Sequence, residues 1–173
     1  MNTKMVFKSD GECIIPMYQK YGAEFTKQLD GEFAICLFDF SKGIYLMSTD
    51  TFSCKPLWYA FGNGNDNNND NDNEQKMGIA TYKSCLIRAG IPENCCVRLE
   101  PNTTIIGNIN DAKKGVFQVT KRFINYQFNL RQHKTTYNDW IQAFIKAVHK
   151  RVDNQNYPVF VCLSSGYDSG AIC

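Results

Sequence analysis

The sequence lacks an apolar run long enough to cross a membrane or to act as a signal peptide, its opening Met1 to Phe7 being interrupted by Asn2, Thr3 and Lys4. Charge of one sign is also scarce. Lys and Arg number 19 against 17 for Asp and Glu, and a net charge of +2 spread along the chain excludes a polyanion footprint, so neither nucleic acid nor a membrane is expected as a partner. Only two histidines occur, and no two Cys-x-x-Cys pairs, so a zinc site has no ligand set. His133 and His149 are read as surface or helix-face residues. The eight cysteines fall mostly inside apolar runs and are read as small core hydrophobes with free thiols, which places the chain in a reducing cytoplasm.

What is present is the composition of a folded chain, 43% hydrophobic and 13% aromatic over 173 residues. Apolar residues at Ile14, Met17, Tyr18, Tyr21, Phe25 and Leu29 predict an amphipathic helix capped by Ser9-Asp10, with a break near Gly22 and one backbone bond lost at Pro16. Phe33 to Phe40 and Ile44 to Thr49 form two apolar runs around Ser41-Lys42-Gly43, the pattern of a hairpin of buried strands. Further strands are expected at 57–61, 77–80, 97–99, 104–107 and 116–120, which makes the first two-thirds a layered α+β domain. Residues 62–76, rich in Asn and Asp, have no apolar area to bury and read as a disordered loop. The composition then divides the chain into 1–122, a crossing segment 123–135, and 136–173. In the last part, Thr136 is expected to cap a helix reaching Val152, and Val159 to Leu163 to form a buried strand.

That strand feeds Ser164-Ser165-Gly166-Tyr167-Asp168-Ser169-Gly170. Small residues between a strand and a helix suit a wrapped anion: Gly166 admits close backbone approach, the Ser164 and Ser169 hydroxyls can donate to phosphate oxygens, and Asp168 is placed to hold Mg²⁺. An ordinary polar strand-to-helix turn accounts equally well for a Ser/Gly/Asp loop taken alone.

The loop resembles the Ser-Gly-Gly-x-Asp-Ser pyrophosphate loop of N-type ATP pyrophosphatases, with Ser165 standing where the pattern has Gly. Earlier motifs resemble those of glutamine-hydrolysing asparagine synthetases in the same order. They are Ser9-Asp10-Gly11-Glu12, Leu29-Asp30-Gly31-Glu32-Phe33-Ala34, Asp50 to Tyr59 with Lys55-Pro56-Leu57, and Ile79-Ala80-Thr81-Tyr82-Lys83-Ser84. Thr49, Ser53 and Tyr82 replace the Arg, Gly and Glu of those patterns. The resemblance implies an incomplete amino-terminal-nucleophile glutaminase-type domain of four α/β/β/α layers, followed by the first helix, strand and phosphate loop of an α/β ATP pyrophosphatase domain. The chain would then correspond to an internal segment of such a protein.

The resemblance further implies ATP-dependent transfer of glutamine-derived ammonia to the aspartate side chain, with glutamine, aspartate and ATP as substrates and ATP and Mg²⁺ as cofactors. Asp10 would accept the α-ammonium of glutamine. Leu163, Ser164, Ser165, Gly166, Asp168 and Ser169 would bind ATP and pyrophosphate, with Asp168 on Mg²⁺. The family's nucleophilic Cys would be the second residue, which is Asn2 here, and a carboxamide cannot form a thioester. An isolated chain is therefore expected to be inactive. Three other readings stand beside this one: one chain of a split amidotransferase completed by a partner, a non-catalytic module bound to a full-length relative, and a β-lactam-synthetase-like adenylating enzyme.

Overall fold

The computed structural model describes residues 9–63, 75–114, 116–153 and 156–172. Most of the Asn-rich stretch at 62–76 lies outside them. The chain divides into two compact units, Met1–Phe128 and Asn129–Cys173.

In the first unit a 3-10 turn, Asp10–Cys13, leads into helix α1, Ile14–Tyr21, and a second 3-10 segment, Gly22–Gln28, follows. The break falls at Gly22, whose φ of 60° is left-handed. Pro16 lies in the first turn of α1, where helical N–H groups have no intrahelical partner, so it causes no interior defect. Ser9 occupies the cap position, but its side chain makes no capping bond.

The hairpin forms as β1, Ala34–Asp39, and β2, Ile44–Thr49, paired antiparallel with Ala34 opposite Thr49. β3, Trp58–Asn63, and β4, Gln75–Ala80, make a second hairpin. β5, Cys96–Arg98, pairs with β3, β6, Thr103–Asn108, pairs with β2, and β7, Val119–Ile124, pairs with β6. Two antiparallel sheets result, ordered β1-β2-β6-β7 and β4-β3-β5. The strand expected at 116–120 lies further along, and it carries Phe123 and Ile124 out of the stretch read as a crossing segment. Two short helices carry no signal of their own in the sequence: α2, Lys83–Arg88, and α3, Ile109–Lys113, the latter capped by Asn108 Oδ1 from the N–H groups of Asn110 and Asp111.

Period-two alternation sorts the core. Ile35, Leu37, Leu46 and Ile106 pack with Tyr18 and Phe25 of the helical segment. Tyr45, Met47 and Ile105 point the opposite way, toward Leu57 and Leu99, with Tyr59, Phe61, Met77 and Ile79 of the second sheet packed alongside. Leu86 of α2 and Ile91 cover Ala60 on the far face of that sheet. β2 is thus enclosed on both faces, which is why Ile44 to Met47 run apolar without interruption, while the buried Ser48 and Thr49 that follow are hydrogen-bonded.

The cysteines are less uniformly buried than expected. Cys54 in a loop, Cys85 in the first turn of α2 and Cys162 in an extended stretch are exposed thiols.

In the second unit, helix α4 spans Asn138–Val152 and ends at Asp153. Thr136 does not cap it: Tyr137 holds that position and makes no side-chain bond. Residues 159–163 do not form the expected buried strand. They are extended, with Phe160 85% and Leu163 68% exposed, because a strand needs a neighbour for its backbone groups and no strand is described in this unit. A short helix α5, Tyr167–Ile172, follows the Ser/Gly loop. Among the described residues no helix is long and apolar enough to cross a membrane.

Candidate functional site

Four stretches that are distant in sequence meet at one groove of about 770 Å³ in the first unit. Ser9, Asp10 and Gly11 line it from the opening turn, Leu29 to Ala34 from the loop before β1, Lys55 from the loop before β3, and Thr81 from the end of β4. Each stretch is one of the motifs singled out in the sequence, so the motifs share a surface as well as an order.

Asp10 opens the turn. Its Oδ1 accepts the Gly11 N–H at 2.8 Å, and its carbonyl accepts from the Cys13 thiol at 3.0 Å. The carboxylate braces the adjacent backbone instead of capping α1, and it stays on the groove wall in an exposed position.

Two loops are held together beneath the groove by Asp50, which is 3% exposed. Its Oδ1 accepts the N–H groups of Phe52 and Cys54 at 3.0 and 3.1 Å, and its Oδ2 those of Phe33 and Lys55 at 3.1 and 3.2 Å. Burial alone would push this carboxyl's pKa up, but the four backbone donors outweigh it and hold the group below the ordinary carboxylate range. Ser53 sits inside this loop at φ 51°, in the left-handed region, where a glycine costs nothing and a serine is strained. The Gly of the resembling pattern therefore has a backbone reason at this position. Thr49, in place of the pattern's Arg, is buried and donates to the Glu100 carbonyl at 2.6 Å, while Tyr82, in place of the Glu, is exposed.

Across the groove mouth Lys55 Nζ pairs with Glu32 Oε2 at 3.4 Å. Glu32, Lys55 and Thr81 lie inside motifs that assign them no role, and nothing in their spacing shows that they share a wall.

In the second unit Leu163 is exposed, and the loop after it closes on itself. The Ser164 and Ser169 hydroxyls lie 3.0 Å apart, the Ser164 N–H donates to Ser169 Oγ at 3.1 Å, and the Gly166 N–H donates to Ser164 Oγ at 3.1 Å. Ser164, Gly166 and Ser169 are thereby brought together, while Ser165 and Asp168 stand exposed beside them. His149 bonds Asp153 at 3.0 Å on the surface of α4, and His133 lies against the Arg131 carbonyl at 2.8 Å. Among the described residues no group of three His, Cys, Asp or Glu side chains is placed to hold a metal ion.

Fold and groove together define a mixed α/β domain of two antiparallel sheets whose groove carries both charge signs. Residues 1–98 match the family of the glutamine amidotransferase domain, and the chain belongs to that family and is homologous to glutamine-hydrolysing asparagine synthetases. It is 25% identical over 178 residues to a putative asparagine synthetase (glutamine-hydrolysing) 1 of Methanocaldococcus jannaschii, covering 95% of this chain and 30% of that protein. It is 24% identical over 189 residues to the amidase chyE of Penicillium rubens, covering 98% of this chain and 26% of that one. Over 53 residues it is 40% identical to asparagine synthetase B of Escherichia coli, 31% of this chain and 10% of that one. The chain thus spans less than a third of the length of each of these relatives.

Proposed function

We propose that the groove is the amino-acid-recognising wall of a glutamine-dependent amidotransferase of the asparagine-synthetase kind, in which Asp10 accepts the α-ammonium of glutamine. The observation that carries this is the convergence of the four motifs on one groove with Asp10 on its wall. A carboxylate whose backbone is fixed by its own turn can receive a charge-assisted hydrogen bond at little cost in ordering. The packing of helix, sheet, sheet and helix in the first unit supports assignment to an amino-terminal-nucleophile fold. Of the described side chains lining the groove, Cys13 supplies the thiol, and its Sγ–H is turned to the Asp10 carbonyl with no histidine beside it to act as base. On this reading the isolated chain binds glutamine without hydrolysing it.

The second unit adds an ATP-phosphate loop to the same proposal. The Ser164 and Ser169 hydroxyls and the Gly166 N–H, which bond one another within the loop, would exchange those bonds for phosphate oxygens, and the Asp168 carboxylate would meet a Mg²⁺, which takes one or two carboxylates together with phosphate oxygens. Leu163, Ser164, Ser165, Gly166 and Ser169 would hold the phosphates and Asp168 the ion, whose charge would stabilise transfer to the aspartate carboxylate. The amidase name of one relative and the glutamine-hydrolysing synthetase names of others support chemistry at an amide nitrogen.

Titration of the chain with L-glutamine, followed by backbone amide NMR, tests the first part. Shifts at Gly11 and Gly31 that Asp10→Asn weakens support it, and the absence of any saturable shift overturns it.

A further inference from the structure

We infer that Asp10 and Gly11 form a self-modification site, at which the Gly11 nitrogen attacks the Asp10 side-chain carboxyl, closes a succinimide and leaves an isoaspartyl linkage after hydrolysis. Asp10 precedes the one residue type with no side chain to shield its nitrogen. The Gly11 N–H points at Asp10 Oδ1 at 2.8 Å, so the carboxyl carbon bonded to that oxygen lies beside the nitrogen it must meet, as in a near-attack arrangement. Loss of the proton leaves the nitrogen's lone pair on that same line.

The surroundings leave the pair able to react. Gly11 falls in the first turn of the opening 3-10 segment, where N–H groups have no partner within the helix, so giving up the proton breaks no ladder bond. Both residues are exposed, and nothing lies within 4 Å of where a Gly11 Cβ would stand, so water and a buffer base can reach the nitrogen. The turn is held from outside the pair, by the Glu12 N–H on the Ser9 carbonyl at 3.3 Å and the Ile14 N–H on the Gly11 carbonyl.

The reaction needs no co-reactant beyond water. The Gly11 N–H proton passes to a solvent base, the bond from nitrogen to Cγ forms, and the hydroxyl of the protonated carboxyl leaves with a solvent proton as water. Water then adds to one imide carbonyl. Opening at the side-chain carbonyl restores aspartate; opening at the main-chain carbonyl breaks its bond to nitrogen, routes the chain through Cγ and frees a carboxylate on Cα. The carboxylate on the groove wall is thereby displaced by the added backbone carbon. The modification does not depend on what the groove binds; only its consequence, weaker glutamine binding, rests on the proposed reading.

The test ages the full 173-residue chain at pH 6 and 37 °C in ¹⁸O-labelled water, natively and in guanidinium chloride, and reads the tryptic peptide Ser9 to Lys20 by mass spectrometry with electron-transfer fragmentation. Each passage through the imide adds heavy oxygen, and isoaspartate gives backbone fragments of its own. The native chain should convert at least as fast as the unfolded one, and Gly11→Ala, whose methyl meets nothing in the fold, should slow conversion about tenfold or more. A native rate below the unfolded rate would show that the fold protects Asp10, and an unchanged Gly11→Ala rate would show that another nitrogen attacks; either result overturns the site. If isoaspartyl protein binds L-glutamine as tightly as fresh protein, the modification stands and Asp10 is removed from the proposed ammonium site.

Discussion

The buried carboxylate of Asp50 accepts the backbone N–H of Phe33 at 3.1 Å, and the Asp50 N–H returns a bond to the Phe33 carbonyl at 2.9 Å. This reciprocal pair joins the loop before β1 to the loop that presents Lys55, so one side chain sets the spacing of two groove walls. Asp50→Asn replaces one acceptor oxygen with an NH₂ that faces backbone donors. The variant should lose about 2–4 kcal/mol in urea unfolding at pH 7. Because the folded carboxyl is held below its unfolded pKa, its contribution is present above pH ~4 and is lost as pH falls through the folded value. The acid limb of the wild-type stability curve should therefore be shallower in Asp50→Asn; identical limbs would place the acid sensitivity elsewhere.

Ser53 is buried in the left-handed region at φ 51°, with Oγ accepting from Arg98 at 3.4 Å. Ser53→Gly removes backbone strain on the order of 1 kcal/mol and gives up only a long hydrogen bond. Its melting temperature should rise by a few degrees. Ser53→Ala keeps the strain and loses the bond, so it should melt lower than wild type; a Ser53→Gly protein that also melts below wild type would mean that the Arg98 contact dominates.

The hairpin of β1 and β2 was legible because two nearly continuous apolar runs flank the Ser41-Lys42-Gly43 turn, and the break at Gly22 because glycine alone marks a left-handed turn cheaply. The motifs marked which segments matter. Their convergence was not legible, because it depends on Asp50, whose four backbone donors come from residues on either side of it in sequence and show no periodic pattern. Val159 to Leu163 misled for the reverse reason: five apolar residues satisfy the strand pattern, but a strand also requires a partner that local sequence does not supply.

Gly107 and Tyr45 face each other across β2 and β6, and a Cβ on Gly107 would lie 2.2 Å from the Tyr45 Cζ and Oη. The ring fills the space a side chain would need. Tyr45 Oη is buried without a hydrogen-bond partner among the described residues, and burial pushes its pKa up to about 12. Gly107→Ala should destabilise by about 2–4 kcal/mol through overpacking. Tyr45→Phe should instead stabilise by about 1 kcal/mol, since it removes an unsatisfied polar atom and keeps the ring. A Tyr45→Phe protein that unfolds earlier than wild type would show that the hydroxyl is satisfied in solution.

Cys36 on β1 has its thiol pKa pushed up to about 11 by burial, whereas Cys85 and Cys162 are exposed. Native alkylation with iodoacetamide at pH 8, read by peptide mass spectrometry, should label Cys85 and Cys162 well before Cys36. The raised folded pKa also sets a sign. The neutral thiol's contribution to stability is complete below its unfolded pKa near 8.5 and is lost as pH rises toward 11. Cys36→Ser cannot ionise in that window, so its stability should change less than wild type's between pH 9 and 11.

Asn125, just beyond β7, ties three segments together. Its Nδ2 donates to Ser48 Oγ at 3.1 Å and to the Thr49 carbonyl at 2.9 Å, while its Oδ1 lies 2.6 Å from Thr104 Oγ1 and 2.9 Å from Thr26 Oγ1. Thr26, Ser48 and Thr104 are fully buried, so each hydroxyl depends on this network. Asn125→Ala removes both the donor and the acceptor and should lower unfolding free energy by about 2–3 kcal/mol. Asn125→Asp is the sharper probe, because it keeps the shape and exchanges the donating NH₂ for an oxygen that faces the Thr49 carbonyl. The new carboxyl should be protonated more readily in the folded state than in the unfolded state, since only the acid form restores a donor. Asn125→Asp should therefore be at its least stable at pH 7 and recover as the pH falls toward 4, opposite to the acid limb set by Asp50. A variant equally destabilised at both pH values would mean that the Nδ2 donation to Ser48 and Thr49 contributes nothing, and that Asn125 acts through Oδ1 alone.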